Sequence, residues 1–213
     1  MVTKNNKKIS RKKRIGKKIN KWQALAIVAV VVAIGGFIVY RSFASSEPPK
    51  CAAGSSSLGY NIGFKDGVGY KIRLCRINGF LSKGTEDGGW VRVASNASGN
   101  WVALFQAAKR SGITLVASSS FRSYTKQKEM YECWRARRAG CNPANPPGYS
   151  NHQTGDAVDI DIVPGDNNDP ALTECLNNSR KYPVYYWLSK NAYKYKRYAR
   201  VASECWHWSA TGK

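Results

Sequence analysis

The chain contains only two histidines, and each has an acidic residue close to it in the sequence. His152 precedes Asp159 by seven positions, and Glu204 precedes His207 by three. Two imidazoles and one carboxylate are a common ligand set for catalytic zinc, which keeps its fourth position open. With Asp159 as the third ligand, Glu204 is left to take a proton from a water molecule. A histidine on its own is more often structural, so the prediction of a zinc hydrolase depends on the four residues together.

The aspartate of this set belongs to a predicted strand. In residues 156–163, DAVDIDIV, valine and isoleucine alternate with aspartate, which is the period-two pattern of a strand with one buried face. His152 lies in the loop just before it. Asp161 shares a strand face with Asp159, where it either orients a ligand histidine or is an exposed carboxylate. Asp156 is predicted to be a solvated residue where the strand begins.

Further helix and strand patterns lie on both sides of this strand. Apolar periodicity, capping residues and prolines predict helices over 98–112, 124–138, 169–176 and 183–191. Short β-like runs predict strands over 70–74, 90–93, 113–117 and 198–203. Because the helices and strands do not alternate regularly, we expect an α+β fold with one small antiparallel sheet and flanking helices.

Three stretches of the chain resemble the signature segments of the VanY-type D-alanyl-D-alanine carboxypeptidases. Residues 150–159, SNHQTGDAVD, resemble the motif S-x-H-x-x-G-x-A-x-D. Residues 204–207, ECWH, resemble E-x-W-H, and residues 119–127, SSFRSYTKQ, resemble S-x-[YF]-R-S-x-x-x-Q. The resemblance covers roughly residues 90–208 and implies a zinc peptidase fold with the metal at the centre of the sheet.

The resemblance also implies a role for each residue of the candidate site. His152, Asp159 and His207 would be the zinc ligands, and Glu204 would be the catalytic base. The remaining roles fall on three residues that bind the substrate: Arg122 would bind its carboxylate, and Gln127 and Ser150 would hydrogen-bond the peptide. A guanidinium group is geometrically suited to a carboxylate, although Arg122 and Gln127, taken without the motif, could equally be surface residues.

The implied function is removal of the terminal D-alanine from peptidoglycan stem peptides by a zinc-dependent carboxypeptidase. Alternatives within the same fold are an L,D-carboxypeptidase, a peptidoglycan endopeptidase and a non-catalytic wall-binding module. A membrane-tethered interaction protein that uses its basic face is a further alternative. The chain departs from the family pattern at residues 193–201, YKYKRYARV, which are strongly basic. This departure bears on substrate preference rather than on the metal.

The front of the chain is strongly basic and is followed by an apolar segment. The whole chain has 34 Lys and Arg against 13 Asp and Glu, a formal charge of +21. Residues 1–21 contain ten of these cations and are predicted to be a cytoplasmic tail. Residues 22–43 are predicted to be a single transmembrane anchor, which places everything that follows outside the cell. Two alternatives are a secretory signal cleaved after Ala44 and a nucleic-acid arm, for which no motif is present.

The remaining chain divides into three predicted parts: a linker over 44–50, a Gly-rich extension over 51–90 and the zinc peptidase domain over 91–213. All six cysteines lie after the anchor, as expected for disulfides in an oxidising compartment. The predicted pairs are Cys51–Cys75, Cys133–Cys141 and Cys175–Cys205. Free buried thiols are one alternative, and a thiol nucleophile formed by Cys205 with His207 is another.

Overall fold

The structure is a computed structural model that describes residues 47–162, 182–199 and 204–212. The predicted anchor over 22–43 and the predicted helix over 169–176 lie outside the described residues. None of the helices within the described ranges is long and apolar enough to cross a membrane.

The first of two antiparallel sheets is built around a long hairpin. Its strands are β1 (Ser55–Lys65), β2 (Val68–Leu81) and β3 (Trp90–Ala94), in the order β1-β2-β3. The hairpin turns at Asp66 and Gly67, whose φ values of 51° and 79° are both positive. Asp-Gly is the preferred pair for such a two-residue turn, because glycine adopts positive φ without steric cost. The predicted boundary at residue 90, between the Gly-rich extension and the peptidase domain, therefore falls within this sheet.

The second sheet is much smaller. Its strands are β4 (Ala117–Ser119), β5 (Val158–Ile160) and β6 (His207–Trp208), in the antiparallel order β4-β5-β6. The α+β class is confirmed, but the expectation of a single sheet is wrong, because β3 pairs with β2 of the hairpin instead of joining β5. β5 is also shorter than the run predicted over 156–163.

Three α-helices lie in the described part of the chain: α1 (Ser95–Arg110), α2 (Tyr124–Arg135) and α3 (Pro183–Asn191). The third helix has the predicted bounds, with proline in its first turn. α2 ends three residues earlier than predicted. Its first turn is capped by Ser123, whose Oγ accepts from the Lys126 amide at 3.1 Å.

Two predictions around α1 are wrong. Ser98 does not cap the helix, which begins three residues earlier; its Oγ accepts from the Ala52 amide at 3.0 Å and donates to the Ser95 carbonyl. No strand begins at Ile113, because its amide donates to the Ala108 carbonyl at 2.9 Å. With Gly112 at φ 74°, this bond forms a helix C-cap. The following residues then reach the sheet only at β4.

The helices α1 and α3 and both sheets share one apolar core. α1 contributes Trp101 and Phe105, β3 contributes Val93, β5 contributes Ile160 and α3 contributes Leu188, all fully buried. This packing, rather than the ladder bonds of two- and three-residue strands, keeps β5 in place.

Asp156 and Arg197 form an ion pair just before β5, in which the arginine is buried and the aspartate is partly exposed. Arg197 is 1% exposed, and its Nη1 donates to Asp156 Oδ1 at 2.9 Å. The second carboxylate oxygen accepts from the Ala210 amide at 2.6 Å, and the guanidinium lies 4.8 Å from the centre of the Trp101 ring. The prediction that Asp156 is solvated is therefore wrong. The pair connects the start of β5 to α1 and to the end of the chain.

The cysteines within the described residues are all disulfide-bonded. The predicted pairs Cys51–Cys75 and Cys133–Cys141 are confirmed. Cys205 is disulfide-bonded as well, and its predicted partner Cys175 lies outside the described residues. The alternatives of free thiols and of a Cys205 nucleophile are wrong, since a disulfide sulfur carries no thiolate.

Candidate metal centre

The second sheet places two of the predicted ligands side by side. In the register of β5 and β6, Asp159 lies directly opposite His207. In the register of β4 and β5, it lies opposite Ser119. Directly opposite residues in an antiparallel pair point to the same face. The centre of the three-stranded sheet therefore presents a carboxylate flanked by an imidazole and a hydroxyl.

His152 reaches this face from a single turn of 3-10 helix, Asn151–Thr154. Gly155 ends the turn at φ 73°, and its carbonyl accepts from the Ala94 amide at 2.8 Å. A Cβ at this position would lie 2.7 Å from the Ala94 nitrogen. Glycine is required here both for the left-handed conformation and for the close approach of the chain to β3.

The three predicted ligand residues converge on one small triangle of atoms. His152 Nε2 lies 3.2 Å from His207 Nδ1 and 3.2 Å from Asp159 Oδ1. His207 Nδ1 and Asp159 Oδ1 are 2.8 Å apart. A tetrahedral zinc ion with ligand distances of about 2.0–2.1 Å holds its ligand atoms about 3.3 Å apart. The triangle is therefore close to the size that such an ion requires.

The hydrogen bonding around His152 also fits a cation. Its Nδ1 lies 2.7 Å from the Ser120 carbonyl oxygen, which can only accept, so Nδ1 carries the proton. A neutral His152 then directs the lone pair of Nε2 toward the other two atoms. A proton on His207 Nδ1 can be donated well to only one of its two neighbours, His152 Nε2 or Asp159 Oδ1. These two atoms then face each other as two acceptors. A cation inside the triangle would remove that repulsion.

The protonation states of these groups suit metal binding. Burial lowers the pKa of His152, and the Arg122 guanidinium lowers it further against the attraction of Asp159. Burial alone would raise the pKa of Asp159, but His152 and His207 together hold it well below its usual range. Metal binding needs a neutral imidazole and an ionised carboxylate, and both directions favour those forms.

Arg122 lies next to the triangle and is fixed by two side chains. Its Nη1 donates to Gln127 Oε1 at 3.0 Å and its Nη2 donates to Ser119 Oγ at 3.1 Å. Nη2 is also 4.0 Å from Asp159 Oδ2. Gln127 is buried on α2, and its amide nitrogen donates to the Asn145 carbonyl at 2.7 Å. Both polar ends of Gln127 are thus engaged within the protein, so its contacts orient the guanidinium.

A cavity of about 360 Å³ opens beside Arg122 and Asp159. Other residues of its wall include Glu86, Lys126 and Trp206. Trp206 is half-buried and contributes to this wall, whereas Trp208 is buried in the core. The cavity is large enough for a few residues of peptide, and both charge signs are present along its wall.

Glu204 is half-buried and precedes the last strand of the sheet. Its backbone carbonyl accepts from the His207 amide at 3.0 Å, so a tight turn separates the two residues. Burial lowers the pKa of Arg122, and the negative charges that oppose this include that of Glu204. Glu204 is therefore close enough to the guanidinium to act on it electrostatically. Ser150 is buried immediately before the turn that carries His152.

Sequence reasoning missed the group that orients His152. Ser120 presents its carbonyl to the imidazole, while its Oγ donates to Asp87 Oδ1 at 2.6 Å and accepts from the Arg92 amide at 2.9 Å. Asp87 is buried, and burial raises its pKa. The signal that could have found Ser120 is its place inside the motif-like segment 119–127.

Asp161 takes neither of its two predicted roles. Its Oδ2 lies 2.5 Å from Lys83 Nζ, and its side chain is 10% exposed. The residue therefore pairs with a lysine from the end of the first sheet. Its amide donates to the Val116 carbonyl at 2.7 Å, beyond the last residue of β5.

Comparison with known proteins shows a family likeness over a longer segment than the motifs. The sequence model of the VanY family, described as D-alanyl-D-alanine carboxypeptidase, matches residues 91–213. YodJ of Bacillus subtilis (strain 168), whose assignment as a carboxypeptidase is provisional, is 32% identical over 123 residues. That alignment covers 52% of this chain and 43% of the Bacillus protein, so the chain spans less than half of that relative.

Several proteins of known structure are similar in sequence to part of this chain. A zinc-bound mutant of the vancomycin-resistance D,D-pentapeptidase VanY is 26% identical, with 57% of this chain and 74% of that chain covered and a TM-score of 0.42. VanYB in complex with D-alanine-D-alanine is 26% identical, with coverages of 56% and 71% and a TM-score of 0.41. The LD-carboxypeptidase LdcB is 29% identical, with coverages of 55% and 58% and a TM-score of 0.42.

The family match includes all three motif segments, 119–127, 150–159 and 204–207, and the helix α3 that precedes the last of them. It begins at β3 and leaves out the β1–β2 hairpin. The matched segment, 91–213, makes up more than half of the 213 residues and contains every residue of the triangle. The chain therefore belongs to the VanY family of D-alanyl-D-alanine carboxypeptidases.

Proposed function

We propose that the protein is a zinc-dependent carboxypeptidase that removes the terminal D-alanine from peptidoglycan stem peptides. The observation that carries this proposal is the triangle of His152, Asp159 and His207 donor atoms beside the Arg122 guanidinium, with Asp159 and Arg122 both lining one cavity. Family membership supplies the substrate class. The proposed zinc ligands are His152 Nε2, Asp159 Oδ1 and His207 Nδ1, because these three atoms form the triangle.

When bound, zinc would act as a Lewis acid that makes water a stronger nucleophile and polarises a carbonyl group. The residues of the chain would supply orientation and proton transfer. Ser120 holds His152 in the tautomer that leaves Nε2 available to a metal. Asp159 lies between His207 and Arg122, where its charge offsets part of the positive charge of the loaded site.

Glu204 is the proposed general base. Peptide hydrolysis requires a group that takes a proton from the attacking water and delivers it to the leaving amine. Asp156 is occupied by Arg197, and Asp161 is occupied by Lys83. Glu204 is half-buried beside the turn to His207, and its charge reaches Arg122. Among the acids close to the ligands in sequence, it is the one that remains for this role.

Arg122 is the proposed binding group for the free carboxylate at the end of the substrate. A guanidinium has five N–H donors, and Gln127 and Ser119 accept from only one hydrogen on each terminal nitrogen. The other hydrogens of these nitrogens remain for a ligand in the cavity. Burial strengthens such an ion pair because less water competes for either partner. Ser150 stays a predicted peptide-binding residue.

The test uses the purified full-length protein and a muropeptide that ends in D-alanyl-D-alanine. We expect one zinc ion per chain by metal analysis and release of free D-alanine, which a chelator should abolish and added zinc should restore. His152→Ala should lose the zinc. Asp161→Asn is the matched control, because it removes a nearby carboxylate that is paired with Lys83, and it should keep both metal and activity. A chelator-resistant wild-type activity would contradict the proposal.

The same assay distinguishes the bond that is cleaved. A D,D-carboxypeptidase releases one D-alanine from the pentapeptide and leaves a tetrapeptide intact. An L,D-carboxypeptidase would shorten the tetrapeptide, and an endopeptidase would cut cross-linked dimers. The Arg122 site favours the exopeptidase, since a substrate with an amidated C-terminus could not form the carboxylate pair.

We also propose that residues 22–43 anchor the protein in the cell membrane with the N-terminus inside and the peptidase domain outside. The basic residues before the apolar segment support this orientation. The disulfides of the described residues support an oxidising compartment. Protease treatment of intact cells should remove the domain from Cys51 onward, while a tag at the N-terminus should stay protected. Protection of the domain would refute the orientation.

A further inference from the structure

The β1–β2 hairpin precedes the segment that the family model matches, yet its tip lies against the loop that carries His152. The Gly67 amide donates to the Gly148 carbonyl at 3.0 Å. A Cβ added to Gly148 would lie 3.0 Å from the Gly67 Cα, so the two backbones are as close as glycines allow. The hairpin tip and this loop therefore share a backbone-to-backbone contact that any larger residue would separate.

A second contact of the hairpin involves the residue that follows His152. A Cβ added to Gly63, in β1, would lie 3.1 Å from the Gln153 carbonyl oxygen. Gln153 follows His152 directly and is fully buried. The outer face of the histidine turn therefore rests on the hairpin strand at a position where an added methyl group would be tighter than an ordinary van der Waals contact.

The loop needs such support because it has little regular structure of its own. Residues 142–150 contain no helix or strand. Their other anchors include the bond from Gln127 Nε2 to the Asn145 carbonyl and the bond from the Gly148 amide to Gln153 Oε1, both at 2.7 Å. Few backbone bonds make a segment easy to open locally. The hairpin contacts add the outer wall that these bonds do not provide.

The hairpin also contacts the element that holds Arg122. The Phe64 ring lies 4.7 Å from the Tyr124 ring, measured between centroids. Tyr124 is the first residue of α2, and Gln127 on the same helix binds the Arg122 guanidinium. Two neighbouring residues of β1, on opposite faces of the hairpin, thus contact the histidine turn and the start of the helix behind the arginine.

We propose that the β1–β2 hairpin is a positioning element of the metal centre, which holds the 142–153 segment so that His152 is preorganised for zinc. The proposal rests on the metal site of the proposed function and extends it to residues outside the family segment. Groups that orient metal ligands typically change metal affinity by about 10- to 100-fold. Ordering the loop before the metal arrives removes an entropic cost from binding.

The first test compares two alanine substitutions in the same hairpin. Gly63→Ala places its methyl group against the Gln153 carbonyl and the buried Ile72 side chain. Gly69→Ala is the matched control: its methyl group would meet only the side chains of Phe64 and Ile62, and neither glycine has a positive φ. Zinc affinity of the full-length protein is measured by competition with a chelator, together with thermal unfolding and kinetics.

We expect Gly63→Ala to bind zinc about 10-fold more weakly than wild type. Its kcat should recover at excess zinc, because the chemical groups themselves are unchanged. Gly69→Ala should bind zinc as wild type does. Amide hydrogen exchange in the metal-free protein should rise within residues 142–155 in Gly63→Ala alone. Wild-type zinc affinity and exchange in a folded Gly63→Ala protein would overturn the proposal.

A second pair approaches the same contact from the loop and covers the case in which Gly63→Ala does not fold. Gly148→Ala and Gly59→Ala both place alanine at a strongly positive φ, +92° and +87°. The methyl group at 148 meets the hairpin tip, whereas the one at 59 meets nothing within 4 Å. Weaker zinc binding only in Gly148→Ala supports the proposal, and equal affinity in the two overturns it. A wild-type protein that binds no zinc would instead contradict the proposed function.

Discussion

The two sheets of this protein differ in length and burial, and the chemistry lies in the less regular one. β1 and β2 have 11 and 14 residues and are largely exposed along the hairpin. β5 and β6 have three and two residues, all buried. The long strands are held by their own ladder of hydrogen bonds. The short strands depend on the core around them, which shows that the metal centre is positioned by packing more than by pairing.

Hydrogen bonds beyond the ends of the short strands support this difference. The Ile160 amide donates to the Trp206 carbonyl at 2.8 Å, outside the paired residues of β6. Before β5, the ion pair of Asp156 with Arg197 connects the strand to α1. If this comparison is right, changes near β5 should alter activity or stability strongly, and changes on the exposed hairpin face should not.

The largest effect is expected at the proposed base. Glu204→Gln keeps the shape of the side chain but removes its ability to accept a proton, so turnover should fall by about 10²–10⁴-fold. Zinc content and the melting temperature should stay at wild-type values. Glu129→Gln, an exposed glutamate on α2, is the control and should leave turnover unchanged. Wild-type turnover in Glu204→Gln would show that another group is the base.

The next effect concerns the ion pair of buried Arg197 with Asp156. Arg197→Ala empties the buried site of the arginine and leaves the partly exposed Asp156 carboxylate without its partner, so the free energy of unfolding should fall by about 2–5 kcal/mol. Lys196→Ala, at the exposed neighbouring position, should change it by less than about 0.5 kcal/mol. Denaturant unfolding of both variants measures the difference. Similar small losses in the two would mean that the packing around β5 does not depend on this pair.

The disulfide of the first sheet gives a smaller effect. Replacing Cys51 and Cys75 together by serine removes a crosslink that closes a 24-residue separation. Stability should fall by about 2–4 kcal/mol through the larger entropy of the unfolded chain. The metal centre should survive, because Cys75 pairs with Ser57 at the end of the hairpin away from Gly63 and Gly67. Zinc content in the folded fraction checks this, and its loss would show that the crosslink also supports the metal centre.

The smallest effect is expected on the exposed face of the hairpin. Leu58 is 48% exposed, so Leu58→Ala should change the free energy of unfolding by less than about 0.5 kcal/mol. Ile160→Ala in β5, where the side chain is fully buried, should cost about 2–5 kcal/mol. A large loss in Leu58→Ala would indicate that this face is covered by a partner in solution.

Much of the fold could be predicted where the signal was local. The helix Pro183–Asn191 has proline at its start, and the sequence predicts both of its bounds. The bonds Cys51–Cys75 and Cys133–Cys141 were paired correctly. The strand expected at residue 113 failed because a backbone amide was already used by the cap of α1. Local patterns cannot show which of two competing partners a backbone group will choose.

In the candidate site, too, the local signals in the sequence were predictive and the distant contacts were not. The motif segments carry His152, Asp159, Glu204 and His207, so their residue types were readable from the chain. Asp156 belongs to the same motif, but its buried partner comes from 41 residues further along. Alternation in the sequence indicated a solvated carboxylate, and nothing local to the strand indicates the arginine.

By itself, the sequence determined the family, the residue types that a metal site needs and the order in which they occur along the chain. Only the tertiary structure decided that Ser120 orients His152, that Gln127 holds Arg122 and that Gly63 and Gly67 lie against the histidine loop. The physical reason is that motif residues are identified by their type and spacing. Their supporting contacts come largely from backbone atoms, glycines and a buried glutamine, whose part in a site depends on which distant segment packs against them.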